Sequence, residues 1–485
     1  MTTVEVIERY DLQCEDEGKV AELEDPYKLG ALDALNFPFV PVENVFVYEH
    51  PTKGDLLPVE RLHRALSYVL NYYPHLTGRL HYSESYNPEL VRLGSGGELI
   101  VAKCNSRLED LRSSKNDRLV VTDLPSSGAD LTPLFDPTME GLCRDPILTV
   151  QHTRFACGGV ALGVRINHMA GDACSLFKFC RDLAEIYRNI SSEVTLSGPP
   201  VIRPYLQDTN GLTKEELASA LQYNPPDVYL DETPPTAVPD RGPDEGVPVI
   251  GRILRFTSDQ LTKIKQQAME PQGTGWVSTF EALSAYLTQK VYQARVELLE
   301  SEGKTPSERL GSQIWTVMNV RAPDRLNLPP NYFGNASYPL RTKIPHELFA
   351  HGPLWQVANS IHTMIRRVDP PTIKQTLDWV AVQPDISRIK MDLDLVEGNI
   401  TLMQWSHFKP YTGMNFDGDT NNTPIHPILS SPPSTITTQI DGMAIFTSTE
   451  QELTTNEYPP SIDILLSLSK PLWDTNALKH IVNNP

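Results

Sequence analysis

A chain of 485 residues is longer than a single hydrophobic core usually organises, so two domains of a few hundred residues are expected, with room for a deep cleft between them. Apolar residues make up 40% and charged residues 21%, without a long polar tract, which excludes a disordered chain. The 42 basic and 61 acidic residues give a formal charge of -19, a field that repels nucleic acid and anionic membrane and obliges any polyanion site to gather its own donors.

The opening residues Met1-Thr2-Thr3-Val4-Glu5-Val6 lack a basic start and the apolar core of a signal peptide, and no run approaches the ~18 apolar residues of a membrane span. A cytoplasmic protein is expected, and a monomer. Cys14, Cys104, Cys143, Cys157, Cys174 and Cys180 contain no Cys-x-x-Cys pair, so reduced thiols are expected and neither zinc nor a disulfide framework. The sequons at Asn189, Asn335, Asn399 and Asn421 read as chance matches.

In chain order, the first clear element is a helix from Pro58 to Tyr73. Leu62, Leu66, Val69 and Leu70 recur at helical spacing, Pro58 suits a first turn and Pro74 stops the run. Gly94-Ser95-Gly96-Gly97 lacks the strand, spacing and acid of a dinucleotide fingerprint and reads as a hairpin turn. Two strands are predicted around Ala156-Cys157-Gly158-Gly159, with Val160, Leu162, Val164 and Ile166 alternating in the second. After Asp172, Leu176, Cys180, Leu183, Tyr187 and Ile190 mark an amphipathic helix. A segment with seven prolines between Asn224 and Pro248 reads as a linker, dividing the chain into domains 1–200 and 251–485 with a crossover over 201–250. The second half opens with a strand, Val249–Phe256, and a capping box at Thr257 and Gln260. Another helix begins with a box at Ser278 and Glu281, and strands follow at 313–320 and 463–468. Helices and strands mix in both halves, so the fold class is α/β or α+β.

His168 draws attention because it leaves a strand and precedes a Gly171-Asp172 turn into a helix, the place where open α/β sheets put ligands. An imidazole titrating near neutrality can take a proton from a hydroxyl. The spacing alone equally allows a histidine satisfied by backbone and an aspartate serving only as helix cap. His152 and His407 show no metal-ligand spacing to one another.

The rest of the chain carries a resemblance. Asn167-His168-Met169-Ala170-Gly171-Asp172 resembles the family mark of the BAHD acyltransferases: a histidine, three residues and an aspartate. Tyr73-Pro74-His75-Leu76-Thr77-Gly78-Arg79-Leu80 looks like an early family segment. Ser278-Thr279-Phe280-Glu281-Ala282-Leu283-Ser284-Ala285 looks like a helix start in its second domain, and Asn319-Val320-Arg321 with Asn331-Tyr332-Phe333-Gly334-Asn335-Ala336 like the strand and loop that follow. One segment departs: Asn415-Phe416-Asp417-Gly418-Asp419 stands where the family carries Asp-Phe-Gly-Trp-Gly.

The resemblance implies a two-domain fold similar to chloramphenicol acetyltransferase, with a channel between the domains. It implies acyl-CoA as co-substrate, acetyl-CoA first, no tightly bound cofactor, no metal, and a small alcohol or amine acceptor of secondary metabolism. The fungal trichothecene 3-O-acetyltransferase branch is the nearest flavour. Carried over by motif, His168 is the general base and Arg321 pairs with Asp172 to brace its loop. Trp405 lines the cleft, as oxyanion donor or as packing, and Ser278 and Thr279 lie near coenzyme A, although Ser278 equally caps its helix. Lys290 and Arg295 read as a solvated face rather than phosphate ligands. Two other readings remain: a non-catalytic relative, which the altered segment at 415–419 favours, and a condensation-type domain, opposed by Asn167 where that group carries its first histidine.

Overall fold

The computed structural model describes residues 2–483 except 52–53, 85, 113–117, 191–194, 207–208, 210, 232–245, 274 and 420. Two six-stranded mixed sheets organise it. The first runs in the order Val4–Leu12, Gly97–Cys104, Leu148–Phe155, Val160–Ile166, Val42–Tyr48 and Leu429–Ser431. The second runs Val249–Phe256, Ile462–Ser469, Met443–Ser448, Ile400–Gln404, Gln313–Asn319 and Ser337–Lys343.

Every residue of Val42–Tyr48 and Val160–Ile166 is buried, because both faces of the first sheet are covered. On one face, Val42, Phe46, Val160, Leu162 and Val164 share a core with Leu62, Leu66 and Val69 of helix Val59–Leu70 and with Leu176, Leu183 and Tyr187 of helix Ala173–Asn189. On the other, Val45, Val47 and Ala161 meet Met443, Ile445 and Leu465 of the second sheet. The far side of the second sheet packs on helix Thr279–Ser301, which is flanked by Ser258–Gln267, Leu354–Arg366 and Asn476–Asn483. The sheets thus lie face to face around a common apolar layer.

Each half also lends a piece to the other. Leu429–Ser431 pairs antiparallel with Val42–Tyr48, Leu429 opposite Val47 and Ser431 opposite Val45. In return, Ala31, Leu32 and Leu35 are buried in the core of the second half. The crossover read over 201–250 is not plain linker where it is described. Thr213 and Glu216 cap a helix, Lys214–Gln222, and Val228–Leu230 pairs with Ile389–Met391. Residues 232–245, which hold Pro234, Pro235, Pro239 and Pro243, lie outside the described residues.

The glycine cluster is a turn, but not a hairpin. Pro88–Val91 belongs to a separate three-stranded sheet with Tyr27–Lys28 and Arg79–Tyr82, whereas Gly97–Cys104 enters the first sheet. Gly94 and Gly96 take φ of 85° and 91° to make the change of sheet, and a Cβ on Gly96 would stand 2.7 Å from the Gln13 amide. Arg79 secures the turn from below, donating to the Gly96 carbonyl at 2.7 Å. Local composition identified the turn; it carried no information on which strands pair.

All six cysteines are free thiols. No described helix is long and apolar enough to cross a membrane. Among the described residues no cluster of histidine, cysteine and carboxylates could hold a metal ion.

Candidate active site

His168 follows strand Val160–Ile166 and stands in the wall of a cavity of about 310 Å³ between the two sheets. The first half contributes Asn36, Phe37 and Glu43 to that wall, and the second Trp315, Ser337 and Trp405. A second cavity of about 470 Å³ adjoins it, sharing Asn36, Phe37, Val40, Met391, Met403 and Met443. Both linings are mostly apolar, as expected for a site that takes organic ligands out of water.

Asn335 determines the state of the imidazole. Its Nδ2 donates to the His168 carbonyl at 2.8 Å, to Asp33 Oδ1 at 3.0 Å and to the Met169 carbonyl at 3.3 Å. Turning the amide over would set its oxygen against three acceptors, so Oδ1 must face His168 Nδ1, 3.2 Å away. An amide oxygen only accepts, and Nδ1 therefore carries the hydrogen. Nε2 is left with its lone pair. Burial also pushes the imidazole below its ordinary pKa, against smaller opposing contributions from its own backbone, Asp172 and Asn335. The ring is accordingly neutral at physiological pH.

Asp172, which also borders the cavity, is held by a set of donors. It accepts from Arg321 Nη1 at 2.8 Å and Nη2 at 2.9 Å, from the Ala336 amide at 2.9 Å, and from the Ser175 amide at 3.1 Å. The last of these is a helix N-cap, so the aspartate is cap and ion-pair partner at once. Burial alone would raise its pKa, but the Arg321 charge and these hydrogen bonds outweigh it and hold the carboxyl below the usual range. Arg321 also donates to the Gly334 carbonyl at 2.7 Å. The pair thereby joins the loop after His168 to the loop before Ser337–Lys343, across the two halves.

The quoted motifs meet in space. Phe333 packs edge-on against Tyr73 at 4.7 Å and His75 at 5.4 Å, while Tyr332 lies 5.6 Å beneath the Arg321 guanidinium. Trp405 lines the cavity and packs edge-on against Phe177 at 5.9 Å; its indole N–H has no hydrogen bond among the described residues. Ser278 caps helix Thr279–Ser301, its hydroxyl accepting from Glu281 and its amide donating to the Glu281 carboxylate at 2.6 Å. Neither Ser278 nor Thr279 lines the cavity, although Phe280 does.

One expectation needs correction. Arg295 is not on a solvated face; it is 1% exposed and pairs with Asp441 at 2.9 Å. Three-and-four spacing could not tell the two faces of Thr279–Ser301 apart, because neighbouring helices cover much of its circumference. The segment at 415–419 does not border the cavity. Phe416 packs between Tyr48 and Tyr187, and Asp417 accepts from the Leu57 amide at 2.8 Å and from the Tyr187 hydroxyl at 3.1 Å. An aspartate in place of the family's glycine thus ties this loop to the first half, clear of His168.

Sequence reasoning gave Asn335 no role beyond its motif and a sequon. Fully buried, it cannot carry a glycan. Asp33, pushed up to about 6 by burial, has no motif around it in the sequence. A lone acid in Gly30-Ala31-Leu32-Asp33 carries no signal of a partner some three hundred residues away.

The comparisons with known proteins bear on the family and the fold. Residues 21–423 match the family model described as the Transferase family. Shikimate O-hydroxycinnamoyltransferase of Nicotiana tabacum is 24% identical over 365 residues, covering 75% of this chain and 78% of the relative. Among solved structures, vinorine synthase superposes with a TM-score of 0.65 at 15% identity, covering 97% of this chain and 96% of that one. F. graminearum TRI101 in complex with coenzyme A and deoxynivalenol gives 0.66 at 17%, covering 93% and 96%. A two-domain fold matching those structures, a family model spanning most of the chain and the motifs gathered around His168 lead to one conclusion: the chain belongs to the Transferase family and is a BAHD acyl-CoA-dependent acyltransferase.

Proposed function

We propose that this protein transfers an acyl group, acetyl in the first instance, from acyl-CoA to a hydroxyl or amine of a small secondary-metabolite acceptor, with His168 as general base. It acts as a cytoplasmic monomer built of domains 1–200 and 251–485. The observation that carries the reading is the tautomer imposed by Asn335, which leaves Nε2 of a neutral imidazole free to accept a proton beside the cavity. As the acceptor attacks the thioester carbonyl, Nε2 takes its proton, and the tetrahedral oxyanion that forms needs a donor. The Trp405 indole N–H is the proposed donor. On collapse, the imidazolium returns the proton to the departing thiolate. Holding both reactants in one enclosed space supplies several kcal/mol of the barrier.

Asp172 and Arg321 take no part in proton transfer in this scheme. They hold the His168 loop. Ser278 and Thr279 are proposed to meet coenzyme A, with the Thr279 hydroxyl, which has no hydrogen bond among the described residues, the freer of the two. The TRI101 structure, complexed with coenzyme A and deoxynivalenol, supports a coenzyme A-linked donor; the acetyl group and the fungal branch belong to the proposal, and the tobacco relative is named for a hydroxycinnamoyl group.

The test is release of free coenzyme A from acetyl-CoA and from p-coumaroyl-CoA, each with a panel of small alcohols and amines, by the native chain and by His168→Ala. A loss of about a hundred- to ten-thousand-fold in kcat is expected. Equal turnover by both proteins removes His168 from the mechanism, and preference for p-coumaroyl-CoA replaces acetyl as the donor.

A further inference from the structure

Glu43 stands on strand Val42–Tyr48, directly opposite Arg165 on Val160–Ile166. Side chains alternate across a strand, and Val45 and Val47 face Met443 and Ile445 of the second sheet, so Glu43 is on that same inward face. It is 6% exposed and forms part of the wall of the cavity that holds His168. The guanidinium of Arg165 spends its donors elsewhere, on the Leu134 carbonyl, the Pro133 carbonyl at 3.4 Å and the Thr149 hydroxyl at 3.1 Å. Among the described residues no donor reaches the Glu43 carboxyl and no ion pair involves it.

That is unlike the other buried carboxyls of the site. Asp172 and Asp33 each accept several hydrogen bonds from the protein. Buried polar groups in folded proteins are almost always paired, and one left open on the wall of a substrate cavity awaits a donor from the ligand. The ligand must supply a cation or a strong donor, because among the described residues no lysine or arginine lines this cavity. In the adjoining cavity Lys390 is the one basic residue of the wall among the described residues, with Asp231 beside it. The remaining surface is largely apolar, with Phe37, Val40, Trp315 and Ile445 prominent.

We infer that Glu43 recognises the acceptor, and that the acceptor carries an ammonium group on an apolar skeleton, held by Glu43 while a separate hydroxyl or amine faces His168. The inference rests on the acyltransferase reading for the identity of the ligand as acceptor, and on the open carboxyl alone for its charge. Burial, opposed in part by Arg165, lifts the Glu43 carboxyl to about 7, so near neutrality an arriving ammonium need displace only a loosely held proton.

The experiment is calorimetric binding of 4-phenylbutylammonium and of its neutral counterpart 4-phenylbutan-1-ol at pH 8, to the native chain, Glu43→Gln, Glu43→Asp and His168→Ala. The native chain is expected to bind the ammonium about ten- to a hundredfold more tightly than the alcohol. Glu43→Gln is expected to abolish that preference with alcohol affinity kept within about twofold, and Glu43→Asp to retain part of it. The ratio of the two affinities is read within each protein, so a general loss of folded material cancels. An ammonium preference surviving in Glu43→Gln, no preference in the native chain, or no ammonium binding at millimolar concentration overturns the proposal. His168→Ala is expected to keep the preference while losing coenzyme A release. Ammonium selection through Glu43 without any coenzyme A release by the native chain would instead overturn the acyl-transfer reading and leave the charge recognition standing.

Discussion

Replacing Arg321 by alanine leaves the Asp172 carboxylate stranded inside the protein. Two charge-assisted hydrogen bonds at 2.8 and 2.9 Å disappear, and with them the link to the Gly334 carbonyl. Removing one partner of a buried pair usually costs about 3–5 kcal/mol, because the remaining charge is desolvated without compensation. Asp172 keeps the amides of Ala336 and Ser175, which places the expected loss near ~3 kcal/mol. The pH dependence follows from the direction of the shift. In the native chain the Asp172 pKa is depressed, so its contribution is fully present above the unfolded value and is lost as pH falls through the folded one. In the variant, burial remains without the guanidinium, the pKa rises, and acid relieves the stranded charge by protonating it. The deficit relative to the native chain is thus largest at pH 7.5 and narrower at pH 5. Urea unfolding of the native chain, Arg321→Ala, Asp172→Asn and the double variant at both pH values measures it. The cycle should show a coupling of about 2 kcal/mol or more at pH 7.5. Additivity within ~0.5 kcal/mol, or a deficit unchanged by pH, would refute the reasoning.

Three further outcomes are expected. The acid limb of kcat/KM for the native chain should fall at a pH below the ordinary histidine value, since burial depresses His168 and the neutral ring is the active form; a limb above that value contradicts it. Asn335→Ala should lower kcat by about tenfold or more with little change in KM, because the tautomer is no longer imposed, and an unchanged kcat would separate Asn335 from the chemistry. Asp417→Ala should cost about 1–3 kcal/mol in urea unfolding while kcat stays within about twofold, since it removes the acceptor for Leu57 and Tyr187 far from the cavity. A selective loss of kcat there would restore a functional role to that loop.

Periodicity located elements well and relations between them poorly. Helix Ala173–Asn189 and strand Val160–Ile166 were legible because each alternates apolar and polar, or runs apolar, with its own period. His168 and Asp172 were legible as candidates because a short motif sits at a strand end. What Asp172 does was not legible from its neighbours. Spacing offered a helix cap, resemblance offered an ion pair, and the side chain makes both contacts, Oδ1 serving the cap and both oxygens the guanidinium. Asp33 and Glu43 carry no mark in the sequence, and Asn335 shows only as part of a motif and a sequon. Their significance lies in which donors they have or lack, a property of packing that a single polar letter in an apolar run does not encode. The glycine turn failed similarly, as pairing partners depend on distant chain.

The strand Leu429–Ser431 has a consequence for how the molecule comes into being and comes apart. As a ribosome delivers the chain, the amino-terminal sheet waits with Val42–Tyr48 as a bare edge until position 431 has emerged, so that edge is open to chaperones or to self-association for most of synthesis. Once the thread is sewn in, the two lobes cannot swing apart like jaws without unpicking hydrogen bonds. Ligands must then reach the cavity beside His168 while that pairing stays intact.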